Sequence, residues 1–166
     1  MTAKKPSAFE ALETLMTGNQ RFIAGSHEVE SLLGPDRRKQ LAENGQSPFA
    51  VVLTCADSRV PPELIFDRGL GDLFVVRVAG NVVMPSTLAS IEYATSALGT
   101  PLCLVLGHSR CGAVTAAVET RCEKSAALTP YLDLLIGKIR PAARRVTRCS
   151  HDLSPEEVIR RTTLEN

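Results

Sequence analysis

Three short runs of apolar, largely β-branched residues dominate the middle of the chain: Phe-Ala-Val-Val-Leu-Thr at 49–54, Leu-Phe-Val-Val-Arg-Val at 73–78 and Leu-Cys-Leu-Val-Leu at 102–106. Each is too short for an amphipathic helix and too evenly apolar for a strand with one wet face, so each reads as a buried strand. After them come stretches with helical spacing: 61–67; 87–98, where Leu88, Ile91, Ala94 and Leu98 share a stripe; and 111–119. Strands that alternate with helices bury their apolar faces by lying parallel in one sheet with helices packed on it. The expected fold is therefore α/β, with a mostly parallel central sheet flanked by helices.

Ahead of the strands, Ser7-Ala8-Phe9-Glu10 has the pattern of a capping box, and Phe9, Leu12, Met16 and Ile23 recur on one face of a helix that Gly25 can end. A polar loop at 26–34, a charged helix at 35–43 and an Asn44-Gly45 stop follow. Residues 7–45 thus make an N-terminal helical arm and 46–166 a core, together one domain over 1–166. Past Thr129, the spacing of Tyr131, Leu134, Leu135, Lys138 and Ile139 predicts a helix disturbed near Pro141, and Ser154-Pro155-Glu156-Glu157 opens a last one.

Charge excludes some partners. Nineteen Lys and Arg against 18 Asp and Glu leave a net +1, too little to gather nucleic acid or an anionic membrane surface, so a small, weakly charged substrate is expected. No apolar run nears the roughly 20 residues that cross a bilayer, and the first residues lack the apolar centre of a signal peptide. The five cysteines are odd in number and scattered, unlike a disulfide scaffold. A reducing compartment, the cytoplasm, is expected, where thiols stay available as metal ligands.

Two clusters carry the chemistry, and both follow strands, at the end of a parallel sheet where ligands bind. On an extended segment alternate side chains point the same way, so Cys55, Asp57 and Arg59 put a thiol, a carboxylate and a guanidinium on one edge. Pro61 and Pro62 bar that segment from continuing as sheet. His108 and Cys111, three apart, converge in a tight turn or a first helical turn, and Gly107 and Gly112 beside them permit close backbone approach. Two thiolates and an imidazole form a known catalytic zinc set with a fourth position left open, and paired sulfurs favour zinc over magnesium or calcium. The alternative is a closed structural zinc site. Asp57 argues against it, because closed sites are usually built from Cys and His alone. Of the other candidates, Cys103 reads as an inert core residue, Cys122 and Cys149 as surface thiols, and His27 and His151 as solvated.

Cys55-Ala-Asp-Ser-Arg-Val60 and His108-Ser-Arg-Cys-Gly112 closely resemble the two signature segments of β-class carbonic anhydrases, while Arg77-Val-Ala-Gly-Asn81 and Ile91-Glu-Tyr93 resemble the stretch between them. The resemblance implies a zinc enzyme, with Cys55, His108 and Cys111 as ligands, that reversibly hydrates carbon dioxide to bicarbonate and a proton through hydroxide generated at the metal. Asp57 and Arg59 are its implied catalytic pair, Asp57 either salt-bridging Arg59 or swinging onto zinc as fourth ligand. Gln46, Phe74, Tyr93 and Gly112 are the implied substrate-pocket positions. Val52 stands where bicarbonate-regulated members carry a tryptophan, so that control is not expected here. The resemblance also implies a homodimer or higher homo-oligomer, and a further C-terminal edge strand that this sequence lacks, as a truncated chain would. Two alternatives remain: the same zinc chemistry acting on carbon disulfide or carbonyl sulfide, and an inactive zinc-binding subunit.

Overall fold

In the computed structural model, which describes residues 5–29, 33–121, 128–148 and 152–166, the three apolar runs are strands β1 (Ala50–Thr54), β2 (Leu73–Arg77) and β3 (Leu102–Leu106). They form one parallel sheet in the order β2-β1-β3. Central β1 is buried at all five positions, which explains why its run shows no polar alternation. Edge strand β3 alternates instead, and its Cys103 and Val105 are exposed. Cys103 is therefore not the core residue its apolar neighbours suggest; the run conceals a strand with one uncovered face. Cys122, Cys149 and His151 lie outside the described residues, and His27 is exposed as expected.

The chain groups into two compact units: the described residues of Met1–Leu53, Ser58–Val76 and Met84–Val105 in the first, and those of Thr54–Asp57, Arg77–Val83 and Leu106–Asn166 in the second. The last residue of every strand, Thr54, Arg77 and Leu106, falls in the second.

In the first unit, α1 (Ala8–Ile23) begins at the predicted capping box: Glu10 N–H donates to Ser7 Oγ (3.3 Å), and Ser7 N–H donates to the Glu10 carboxylate (2.7 Å). Its buried residues are Ala11, Leu15 and Gly18, whereas the stripe of Phe9, Leu12, Met16 and Ile23 is exposed. Small residues face inward because the helix lies hard against a neighbouring backbone: a Cβ at Gly18 would collide with the Phe66 carbonyl. That carbonyl follows α3 (Pro62–Ile65), a single turn where a helix over 61–67 is expected. Asn19 Nδ2 donates to Ile65 O (3.2 Å), and Arg21 is ion-paired and hydrogen-bonded to the buried carboxylate of Asp67, which also accepts the Glu28 N–H (2.7 Å). The short helix α2 (Pro35–Asn44) ends at Gly45, whose φ of 75° suits glycine.

The helix expected over 87–98 starts earlier, as α4 (Pro85–Glu92), and widens into a π turn over Tyr93–Ala97. Within it the Thr95 hydroxyl donates to the Ile91 carbonyl (3.0 Å). Of the predicted stripe only Ala94 is fully buried.

The second unit is built on α5 (Gly112–Glu119), α6 (Pro130–Arg148) and α7 (Pro155–Glu165), with Val118, Ala143, Val146 and Val158 in its core. Helix α6 continues through Pro141, where proline offers no N–H to the Gly137 carbonyl. The buried face is Ile136, Ile139, Ala142, Ala143 and Val146, at helical spacing, while Tyr131 and Leu134 are exposed. Helix α7 opens as predicted, with Ser154 Oγ accepting the Glu157 N–H (3.3 Å). Among the described residues no helix is long and apolar enough to cross a membrane.

Candidate metal centre

Cys55 is the residue after β1, and a four-residue stretch, 77–80, holds it from one side. Val78 N–H donates to Thr54 O (3.1 Å) and Val78 O accepts the Ala56 N–H (3.2 Å), carrying backbone pairing past the strand ends. Arg77 Nε donates to Cys55 O (3.0 Å) and its Nη2 to Asp57 O (2.5 Å). The stretch then turns through a 3-10 helix, Ala79–Asn81, in which Gly80 takes φ 69° and points its N–H at Cys55 Sγ (3.3 Å). A Cβ at Gly80 would stand 2.6 Å from Ile139 Cδ1 and 3.0 Å from Ala113 Cβ, so both the conformation and the space call for glycine. The Asp57 N–H is a second donor to Cys55 Sγ, at 3.4 Å.

His108 and Cys111 come from the turn between β3 and α5. Arg110, at φ 55°, gives that turn its sharp reversal, and Cys111 is the N-cap of α5. The Ala113 and Val114 N–H groups, at the helix start, favour the charged form of the Cys111 sulfur. Cys55 Sγ accepts two backbone N–H donors, an arrangement that stabilises negative charge on sulfur. The His108 Nδ1 lies 3.0 Å from Ser109 O. A carbonyl can only accept, so this contact calls for a proton on Nδ1 and leaves the buried Nε2 as the nitrogen that could ligate a metal.

The structure brings the three predicted ligands together: one ligand atom from each of Cys55, His108 and Cys111 lies within 4.8 Å of the others, and the two sulfurs are 3.9 Å apart. Zinc–sulfur bonds of about 2.3 Å at a tetrahedral angle set two sulfurs about 3.8 Å apart, so the donor set and its spacing fit zinc. Cys55 and Cys111 are almost wholly buried. Burial is the main cause pushing the Cys111 thiol above its ordinary pKa; the Val114 and Ala113 N–H groups oppose the rise, and charge on Cys55 adds to it. A metal bound here must displace thiol protons, which couples its affinity to pH. Asp57 stands beside the set, Oδ2 4.0 Å from His108 Nε2.

The other predicted site residues divide between the two units. Gly112, the first residue of α5, is in the second, with open space where a Cβ would stand. Arg59, Gln46, Phe74 and Tyr93 belong to the first, in which Gln46 is exposed and the rings of Phe74 and Tyr93 meet at a centroid distance of 6.1 Å, tilted by 47°. Tyr93 begins the π turn. Sequence reasoning assigned no role to Arg77 or Gly80, whose signal was only their presence in a family-like stretch.

The carbonic anhydrase family model matches residues 50–166. Carbonic anhydrase 2 of Mycobacterium tuberculosis is 54% identical over 110 residues, covering 65% of this chain and 51% of that protein. The solved β-carbonic anhydrase CcaA superposes with a TM-score of 0.70 at 31% identity, over 94% of this chain and 70% of that one. A tetrameric β-carbonic anhydrase of Sordaria macrospora superposes with a TM-score of 0.67 at 25% identity, over 94% of this chain and 77% of that one. The chain spans about half the length of the curated relative it matches at 54% identity. With a family model over most of its length and a shared fold, this chain belongs to the β-class carbonic anhydrase family.

Proposed function

We propose that the chain catalyses the reversible hydration of carbon dioxide to bicarbonate and a proton, with zinc held by Cys55, His108 and Cys111. The observation that carries this reading is the convergence of those three donors, within 4.8 Å of one another and beside Asp57, in a member of this family. A zinc ion in this set supplies Lewis acidity, and with it a hydroxide nucleophile near neutral pH. The two thiolates would cancel the formal charge of such an ion and weaken that effect; the Asp57 and Gly80 N–H groups donated to Cys55 Sγ would draw charge off that sulfur and restore part of it. Asp57, beside the set, would orient the attacking oxygen by accepting a hydrogen bond from it on a carboxylate oxygen. Arg59, permanently charged and able to grip a carboxylate through two parallel bonds, would hold the Asp57 carboxylate away from the metal. Gln46, Phe74, Tyr93 and Gly112 line the substrate pocket in this reading.

Rapid-mixing assays of carbon dioxide hydration, on chain of measured zinc content with and without a chelator, test the proposal. Turnover that follows zinc is expected; zinc-loaded chain without turnover would make it a binding subunit. Carbonyl sulfide and carbon disulfide are the comparison substrates, and preference for either would overturn the assignment of carbon dioxide. Arg59→Ala should retain zinc while losing about 10- to 100-fold in rate; full activity would remove the gate. The tetrameric Sordaria relative and the exposed stripe on α1 support a homo-oligomer, and a site built on two thiols suits a reducing compartment such as the cytoplasm.

A further inference from the structure

The guanidinium of Arg77 reaches two backbone carbonyls, those of Cys55 and Asp57, and these belong to a metal-ligand position and to the acid beside it. On a straight strand, carbonyls two residues apart stand about 6.6 Å from one another, twice the rise of about 3.3 Å. The two N–H groups that Arg77 uses leave the same rigid, planar group. Both carbonyls meet one guanidinium only if the chain curls between 55 and 57, and that curl sets where Cys55 Sγ and the Asp57 carboxylate point. The same curl brings the Asp57 N–H to Cys55 Sγ at 3.4 Å. Backbone pairing at Val78 ends at Ala56 and accounts for neither contact.

We propose that Arg77 is a positioning residue of the metal centre: by bridging the carbonyls of Cys55 and Asp57 it fixes the bend that aims the thiolate and the carboxylate. Its part in aiming Asp57 rests on the carbon dioxide reading; its part in holding Cys55 needs only that the site bind a metal. Both acceptors are neutral carbonyls, so the requirement is two donors in a fixed fork rather than a positive charge. A lysine can serve one carbonyl at a time, which separates the fork from the charge.

The test compares the zinc-loaded chain with Arg77→Met and Arg77→Lys. Zinc release to a chelator should quicken about 10- to 100-fold in Arg77→Met, the range for losing a group that orients a metal ligand, with Arg77→Lys in between. The cobalt(II)-substituted forms should follow the same order in their thiolate-to-metal absorption. In hydration assays kcat should fall with KM nearly unchanged, and the pH midpoint should move, because Asp57 is misdirected while the pocket residues are untouched. Release rates and cobalt spectra equal to those of the unsubstituted chain in a folded Arg77→Met would overturn the proposal. Should Arg77→Met fail to fold, Arg77→Lys decides: metal release like the unsubstituted chain's would equally overturn it. If the zinc-loaded, unsubstituted chain shows no turnover, the carbon dioxide reading fails, while the release rates and cobalt spectra still test the grip on Cys55.

Discussion

Each unit buries a cluster of ionisable groups, and the two clusters reach electrical balance by opposite routes. In the first, the Asp67 carboxylate is sealed from water and brings its own cation, Arg21, with the Glu28 N–H completing its hydrogen bonding. In the second, two thiols and an imidazole lie together, with two backbone N–H groups donated to Cys55 Sγ. Protein atoms finish the first cluster, which therefore serves to fix α1 and the loop after it. The second is a set of electron-pair donors whose chemistry calls for a cation from outside. The difference lies in the partners, since Asp67 and the two cysteines are nearly equally buried.

The comparison breaks most readily at the metal ligands. Cys111→Ser should take zinc content from stoichiometric to undetectable by elemental analysis; full zinc would show that the cluster is not the metal site. Next is Gly80→Ala, in which a Cβ must enter space held by Ile139 and Ala113 at a positive φ. Overpacking of this kind costs about 1–3 kcal/mol, and the left-handed conformation adds about 1–2 kcal/mol. Thermal unfolding reads that loss, together with faster release of metal as the N–H to Cys55 is displaced.

Asp67→Asn should cost about 1–3 kcal/mol by leaving Arg21 with a neutral partner, and asparagine tolerates the φ of 50° at this position. The pH dependence gives a sharper readout. Burial raises the pKa of Asp67, but Arg21 and the Glu28 N–H outweigh burial, and the carboxyl is held below its ordinary value. A group depressed on folding contributes stability above its unfolded pKa and loses it as pH falls through the folded one. Stability should therefore drop on the acid side in the unsubstituted chain and drop less in Asp67→Asn, while zinc content near neutral pH stays unchanged. The smallest effect belongs to Glu157, drawn down to about 2 by hydrogen bonds from Arg160 and Arg161 on the exposed face of α7. Water screens those pairs, so Glu157→Gln should leave the melting curve within its scatter.

The strands were legible because their runs are short, apolar and largely β-branched, with burial complete only in β1, and the ligand set because its members fall just past strand ends. What stayed hidden depends on partners distant in sequence. Cys103 looks buried from its neighbours, yet only the sheet order reveals that β3 is an edge. Pro141 should interrupt a helix by local rules, but the packing of Ile136, Ile139, Ala143 and Val146 carries α6 through it. Arg77 serves carbonyls 20 and 22 positions away, and no spacing rule reports that.

Gly18 admits one further conclusion. A helix resting a bare Cα on a carbonyl can neither slide a residue along its axis nor roll about it, since any other side chain would meet that oxygen. The azimuth of α1 is thereby keyed like a shaft in a slot, and Phe9, Leu12, Met16 and Ile23 leave the first unit in one set direction. Replacing Gly18 would turn the key and re-aim that whole stripe at once, without altering one of its residues.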